Sequence, residues 1–295
     1  MGFVKEFEYF KPTGLKEAAS LLSAHRNTAI LAGGTDLVVE IKGGPAAPDV
    51  VVDIKGLSEL AGISFSGNVL RIGALVTFTQ LLQSEVVRQF FPVLQEMAAT
   101  VASVAVRNRA TMAGNICSAV PCMNSGPVIC LYDAQITLFG PRGERTVAAR
   151  DWFTGVRRTA IQDSEILTSI AFPVPAPRQG ACFVKLGRYA GEDLAQVIVA
   201  VLVLPDHRCR VGFGAVAPVP LRAARIEALL QGKVPDGALI RAAQDLIDIE
   251  IAPITDIRAG KEYRLHMAKI MFKRALTAAL QRFQGAGPAY GTPLI

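Results

Sequence analysis

Long apolar runs are missing from this sequence, and their absence excludes a helical membrane protein. No stretch reaches the roughly 18 to 20 consecutive apolar residues that a span requires. The most apolar segment, Ala195 to Leu204, carries Gln196 near its start and is followed by Pro205; its Val and Ile content reads as a buried strand. The first residues, MGFVKEFEYFKP, lack the apolar block behind a basic start that marks a secretory signal, and Glu6 stands where a myristoylation signal needs Ser or Thr. The expectation is a soluble, cytoplasmic protein.

Cysteine and histidine are also scarce, with 5 and 3 in 295 residues. An intracellular chain with so few thiols is not held by a disulfide framework. Cys117, Cys122 and Cys130 lie close together, but C-x4-C-x7-C matches neither a zinc pair nor the plant-type ferredoxin spacing. His25, His207 and His266 are far apart in sequence and suggest no ligand set, so no metal site is expected. Strong charge is lacking as well: the net charge is +6 and the basic residues are scattered, which speaks against nucleic-acid binding. The one cluster is Lys261, Arg264, His266, Lys269, Lys273 and Arg274, interleaved with Leu265, Phe272, Leu276, Ala279 and Phe283 at helical spacing. Such a helix could meet an acidic partner or a membrane surface, but its ordinary meaning is a solvated face.

What is present is core: hydrophobic residues make up 51% and charged residues 19%, the balance of a globular chain long enough for two or three domains. Lys16 to Ala24 is helical in pattern, Ala29 to Ala32 and Val50 to Ile54 are strands, and a short helix begins between them at Asp36. That alternation predicts a small α/β unit over 1–57. A second unit over 58–176 holds strands at Val69 to Gly73, Ala134 to Phe139 and Ile166 to Phe172, with helices at Thr79 to Gln83 and Phe91 to Val101. The Pro-rich run from Phe172 to Pro177 reads as a linker. A third unit over 177–285 has strands at Ala181 to Leu186, Gln196 to Leu204 and Cys209 to Val216. Helices at Ala223 to Gln231, Gly237 to Asp248 and Lys261 to Phe283 follow, and 286–295 is a tail. Strands followed by helices predict an α+β arrangement.

Two segments carry chemistry. In Ile30-Leu31-Ala32-Gly33-Gly34-Thr35-Asp36-Leu37 an apolar strand runs into two glycines and then a helix. Glycines allow a sharp turn and a close ligand approach, and the exposed amides suit an anion such as a pyrophosphate. By itself the turn is equally a plain connection capped by Thr35 or Asp36, since it is neither GxGxxG nor a Walker loop. The second segment runs from Arg107 to Pro127 and includes Thr111-Met112-Ala113-Gly114-Asn115. It is rich in small, hydrogen-bonding residues and reads as a long ordered loop that could hold a polar ligand along its backbone.

Together the segments AGGTDL at 32–37, RNRATMAGNICSAVP at 107–121, FVKLGR at 183–188, VGFGAVAPVPLRA at 211–223 and EYRLHMAKIMFKRAL at 262–276 carry a resemblance across nearly the whole chain. The chain resembles the FAD-binding medium subunits of molybdenum hydroxylases, the xanthine dehydrogenase and carbon monoxide dehydrogenase flavoprotein family. The resemblance implies an α+β fold: a two-subdomain FAD-binding domain of the vanillyl-alcohol-oxidase-like (PCMH) type, followed by a domain of antiparallel sheet packed with helices. It implies FAD as cofactor, with Ile30 to Leu37 and Thr111 to Asn115 holding the pyrophosphate. Val101 and Leu167 would flank the flavin, Asn124 would lie near it, and Lys185 would lie beside the isoalloxazine. It also implies a molybdopterin-binding large subunit and a [2Fe-2S] small subunit as partners, NAD as one possible acceptor, and no catalytic acid, base or nucleophile on this chain. Glu192 and Asp193, after the KLGR segment, read either as a solvent-facing loop and a strand-start cap or as groups that screen the electron acceptor. The sequence departs from the family pattern at two places. Ala113 replaces the first Gly of a usual TIGGN, and Asn124 replaces an Asp, removing a negative charge beside the flavin. Two other readings stand beside this one: a stand-alone flavin-dependent reductase or oxidase of similar fold, and a non-enzymatic nucleotide-binding interaction module.

Overall fold

The computed structural model describes residues 5–189 and 192–295. The chain opens with β1 (Glu8–Phe10), β2 (Thr28–Leu31) and β3 (Val50–Asp53). These form a parallel sheet in the order β1-β3-β2. All four residues of β3, Val-Val-Val-Asp, are buried, as a central parallel strand covered on both faces requires. The sequence pattern shows β2 and β3 but not β1, whose Glu8 and Tyr9 are exposed at the sheet edge and give no hydrophobic signal.

Next come β4 (Ile63–Ser66), β5 (Val69–Gly73), β6 (Gln135–Gly140), β7 (Gly143–Ala148), a small hairpin of β8 (Phe153–Gly155) and β9 (Arg158–Thr159), and β10 (Ile166–Pro173). An antiparallel sheet in the order β4-β5-β10-β6-β7 results, with helices from Phe78 to Leu131 between its strands in sequence. Behind it Phe91, Tyr132 and Phe172 meet edge to face, with centroids 5.2 to 6.2 Å apart. The segment expected to be a long loop, Arg107 to Pro127, is about half helical. Helices run over Val104–Arg107, Met112–Ser118 and Ser125–Leu131. Ser103 and Thr111 cap the first two by accepting hydrogen bonds from Val106 and Gly114. Gly114, Asn115 and Ser118 weaken helix periodicity in the sequence, and these caps with tertiary packing override it.

The last sheet is antiparallel: β11 (Gly180–Leu186), β12 (Val197–Leu204), β13 (Arg208–Gly214) and β14 (Leu221–Arg222), in that order. All eight residues of β12 are buried because the sheet lies between two cores. Ile198, Ala200, Leu202 and Leu204 face the core shared with the first two sheets. Val197, Val199, Val201 and Val203 face a second core closed by the helices Ala224–Leu230, Gly237–Glu250 and Lys261–Gln284. Period-two side chains on a sheet covered on both faces produce the uninterrupted apolar run.

The basic character of the last helix needs one correction. Arg264 is 2% exposed rather than solvated. Its guanidinium donates to the carbonyls of Gln196 (2.7 Å) and Ala215 (3.2 Å) and pairs with Asp256 at 2.7 Å. A buried guanidinium needs such partners, so this residue ties the helix to the sheet. No helix among the described residues is long and apolar enough to cross a membrane.

Candidate cofactor cleft

A cleft of about 1150 Å³ opens where the first sheet, the second helical segment and the third sheet converge. That exceeds the ~300–1,000 Å³ of most small-molecule sites and has the scale of a dinucleotide. β2 delivers the turn Ala32 to Asp36 into one wall. Gly34 has φ +78°, a conformation that L side chains rarely adopt. Gly33 is constrained by space: a β-carbon there would lie 2.2 Å from the Arg109 carbonyl oxygen. The turn therefore presses directly on the backbone that leads into the second segment. Asp36 then receives a hydrogen bond from the Ser118 hydroxyl at 2.6 Å, so the two segments are joined at a second point.

Across the cleft, Thr111 accepts from the Gly114 amide at 2.9 Å and its own backbone bridges to Thr77. Asn115 uses its side-chain oxygen to accept from the Ser125 amide at 3.1 Å, fixing the two short helices relative to one another. The third wall comes from β11. Lys185 donates to the Thr100 carbonyl at 2.8 Å, and Asn124 donates to the Thr100 hydroxyl at 2.8 Å. Thr100 thus holds both residues that the resemblance places near a flavin. Burial lowers the Lys185 pKa from its usual 10.5, because a desolvated ammonium loses hydration that few neighbours restore.

Ile30, Ala32 to Leu37, Val101, Thr111, Gly114, Asn115, Asn124 and Lys185 all line the cleft. Leu31, Met112, Ala113 and Leu167 are not among the lining residues. Met112, Ala113 and Leu167 are at most 4% exposed and belong to the main core, and the Leu31 side chain packs beneath Gly34. The extra methyl of Ala113 therefore fills core rather than the cofactor space. Glu192 and Asp193 do reach the cleft wall, and Asp193 accepts from the amides of Arg188 and Leu194 (2.8 Å to the latter). Cys117 and Cys122 also line it, whereas Cys130 is buried with its thiol 3.8 Å from the Ala149 carbonyl. Among the described residues no group of three or more His, Cys, Asp or Glu could hold a metal.

Sequence reasoning missed Ser118 as the clamp on Asp36, though it lies within the second motif. It also missed Thr100, for which no local signal exists. The far end of the cleft, from His25 to Asn27 and from Ile161 to Glu165, likewise carried no motif.

A glycine turn that a β-carbon would block, facing a capped segment of small polar residues across a cleft of this size, defines a dinucleotide-binding protein. The arrangement fits FAD, with the turn and Thr111 to Asn115 available to its phosphates, Lys185 on the wall of the third sheet and Asn124 beside it at the start of the helix Ser125–Leu131.

The comparisons agree. Residues 5–175 match the family described as FAD binding domain in molybdopterin dehydrogenase, and residues 181–279 match the CO dehydrogenase flavoprotein C-terminal domain. The xanthine dehydrogenase FAD-binding subunit of Escherichia coli O157:H7 is 30% identical over 279 residues, covering 92% of this chain and 95% of that one. A solved carbon monoxide dehydrogenase from Hydrogenophaga pseudoflava superposes with TM-score 0.92 at 34% identity, covering 95% of this chain and 99% of that one. Quinoline 2-oxidoreductase from Pseudomonas putida 86 superposes with TM-score 0.89 at 30% identity, covering 97% and 99%. This chain belongs to the FAD-binding medium-subunit family of xanthine and carbon monoxide dehydrogenase-type molybdenum hydroxylases, and is an oxidoreductase subunit.

Proposed function

We propose that this chain is the electron-carrying FAD subunit of a molybdenum hydroxylase. It receives electrons from [2Fe-2S] clusters on a small subunit and passes them to an external acceptor such as NAD, while a molybdopterin-binding large subunit oxidises the substrate. FAD supplies the chemistry, since it can take electrons singly and release them as a pair. The chain's own residues bind and orient it. The glycine turn and Thr111 to Asn115 hold the pyrophosphate, Asn124 and Lys185 sit beside the isoalloxazine, and Val101 flanks it. The division into units at 1–57, 58–176 and 177–285, with a tail at 286–295, and a cytoplasmic location belong to the same reading.

The observation that carries it is the meeting of three separately encoded elements on one cleft, pinned by Gly33 against Arg109 and by Asp36 against Ser118. The relatives support the division of labour. Chains about equally similar to this one over almost their full length are named for xanthine, carbon monoxide and quinoline. Substrate choice of that breadth points to a partner chain.

Co-expression with the chains encoded beside it tests the proposal. The expected product is a yellow complex whose flavin is reduced when substrate is added and reoxidised by NAD. A colourless chain that takes up no FAD would overturn the assignment. Substrate turnover by the isolated yellow chain would favour a stand-alone reductase, and reoxidation by dyes but not NAD would assign another acceptor.

A further inference from the structure

A second cavity, of about 400 Å³, shares no lining residue with the FAD cleft. It lies where the Pro-rich connection 174–179 passes between Phe90 and the end of the last helix, so that both cores contribute to its walls. Ligand sites favour such junctions, and the volume lies within their usual ~300–1,000 Å³ range.

One polar group on its wall is unexplained by the fold. The amide of Gln179 donates to the Phe90 carbonyl at 3.1 Å, and its oxygen is buried with no hydrogen-bond partner. Among the described residues no other buried side-chain nitrogen or oxygen is left in that state. Buried polar groups are normally paired, and leaving one unpaired costs about 1–3 kcal/mol.

The rest of the wall sets the shape and charge of a guest. Phe90, Tyr132, Phe283 and Tyr290 provide flat apolar surfaces. No Asp or Glu is among the described lining residues, whereas Arg178 and Arg282 are. Arg282 is fully engaged: it pairs with Glu96 and donates to the carbonyls of Ala181, Pro288 and Ala289. Arg178 stacks 4.7 Å above the Phe283 ring and spends only its Nε hydrogen, on the Phe283 carbonyl. Among the described residues nothing engages its two terminal nitrogens, which present the fork geometry that suits a carboxylate.

We propose that this cavity is a second ligand site, for a small aromatic carboxylate bearing a hydroxyl or amino group. The ring lies between the aromatic side chains, the carboxylate meets Arg178, and the hydroxyl or amino hydrogen satisfies the Gln179 oxygen.

The test is calorimetric titration of the FAD-loaded full chain with 4-hydroxybenzoate and with benzoate. Saturable binding of 4-hydroxybenzoate is expected, with FAD retained and benzoate about tenfold weaker, the scale of one lost hydrogen bond. Arg178→Gln, a change at an exposed residue, should weaken both ligands about tenfold or more by removing a charge-assisted contact. Gln179→Leu should bring the two ligands to similar affinity. The proposal is overturned by no saturable binding at millimolar concentration, by displacement of the ligand with excess FAD, or by unchanged affinity in Arg178→Gln. Binding that disappears in the assembled complex would also overturn it, because the cavity would then receive a partner side chain.

Discussion

Glu96 and Arg282 form a two-pronged ion pair, at 2.8 and 3.1 Å, between the helix Pro92–Ala99 and the last helix of the chain. Their side chains are 6% and 4% exposed. Glu96 also accepts from the amides of Phe183 and Gly291, and Arg282 stacks 4.0 Å from the Tyr290 ring. The pair thereby joins both cores and the C-terminal tail. Removing one partner leaves the other buried and uncompensated. Arg282→Ala should cost about 3–5 kcal/mol in a denaturant titration, and Glu96→Gln should also be strongly destabilising. A loss below about 1 kcal/mol, the range of a surface pair, would show that solvent reaches the site.

Gly33→Ala should abolish FAD retention. The new methyl would overlap the Arg109 carbonyl, so the turn must withdraw from the second segment and open the cradle. Flavin content after purification measures this, and a variant that keeps its full FAD would remove the steric argument.

Ala113→Gly, which restores the family's usual residue, should leave FAD binding unchanged. Ala113 is 4% exposed, lies on the helix Met112–Ser118 and is absent from the cleft wall. Its methyl contributes packing and helix propensity, so the loss should appear as about 1 kcal/mol of stability. Weaker FAD binding without a stability change would reverse that assignment.

Asn124→Asp should lower the midpoint potential of the bound flavin, because a negative charge on the cleft wall opposes the gain of electrons. A shift on the order of 30 mV, equivalent to about 1.4 kcal/mol for a two-electron couple, is within reach of redox titration. Asn124 now donates to the Thr100 hydroxyl. A carboxylate cannot, so that hydroxyl must turn to donate instead. An unchanged or raised potential would contradict the electrostatic argument.

Acid should weaken the fold through Glu165, whose carboxylate is held below its usual 4.5 by the hydrogen bond from Arg145. A depressed carboxylate pKa contributes stability above the unfolded value, and the contribution is lost as pH falls through the folded one. Glu165→Gln should therefore flatten the stability profile below about pH 4.5. A profile with the wild-type slope would place the acid sensitivity elsewhere.

Much of the secondary structure is legible because apolar period and punctuation coincide. β2, β3, β5, β10 and the three long C-terminal elements all show it, within a residue or two at their ends. β1, β4 and β7 are short or half-exposed edge strands whose sequences show too little alternation to be read. The stretch from Arg107 to Pro127 misleads for a different reason. Its small residues weaken intrinsic helix propensity, and helix forms there through caps at Ser103 and Thr111 and through contacts made elsewhere in the chain.

The glycine turn is determined by sequence alone, since no residue type but glycine allows backbone to approach backbone so closely. So is the apolar character of β12, which must be buried on both faces. Tertiary structure decided the rest. It placed Asn124 and Lys185 on a common Thr100, turned Ala113 into the core, and buried Arg264, which a helical projection puts among solvated cations. It also left the Gln179 oxygen without a donor. Local pattern reports how a residue is oriented on its own element, whereas a binding site is made by contacts between elements distant in sequence. Those contacts are set by how the three sheets pack.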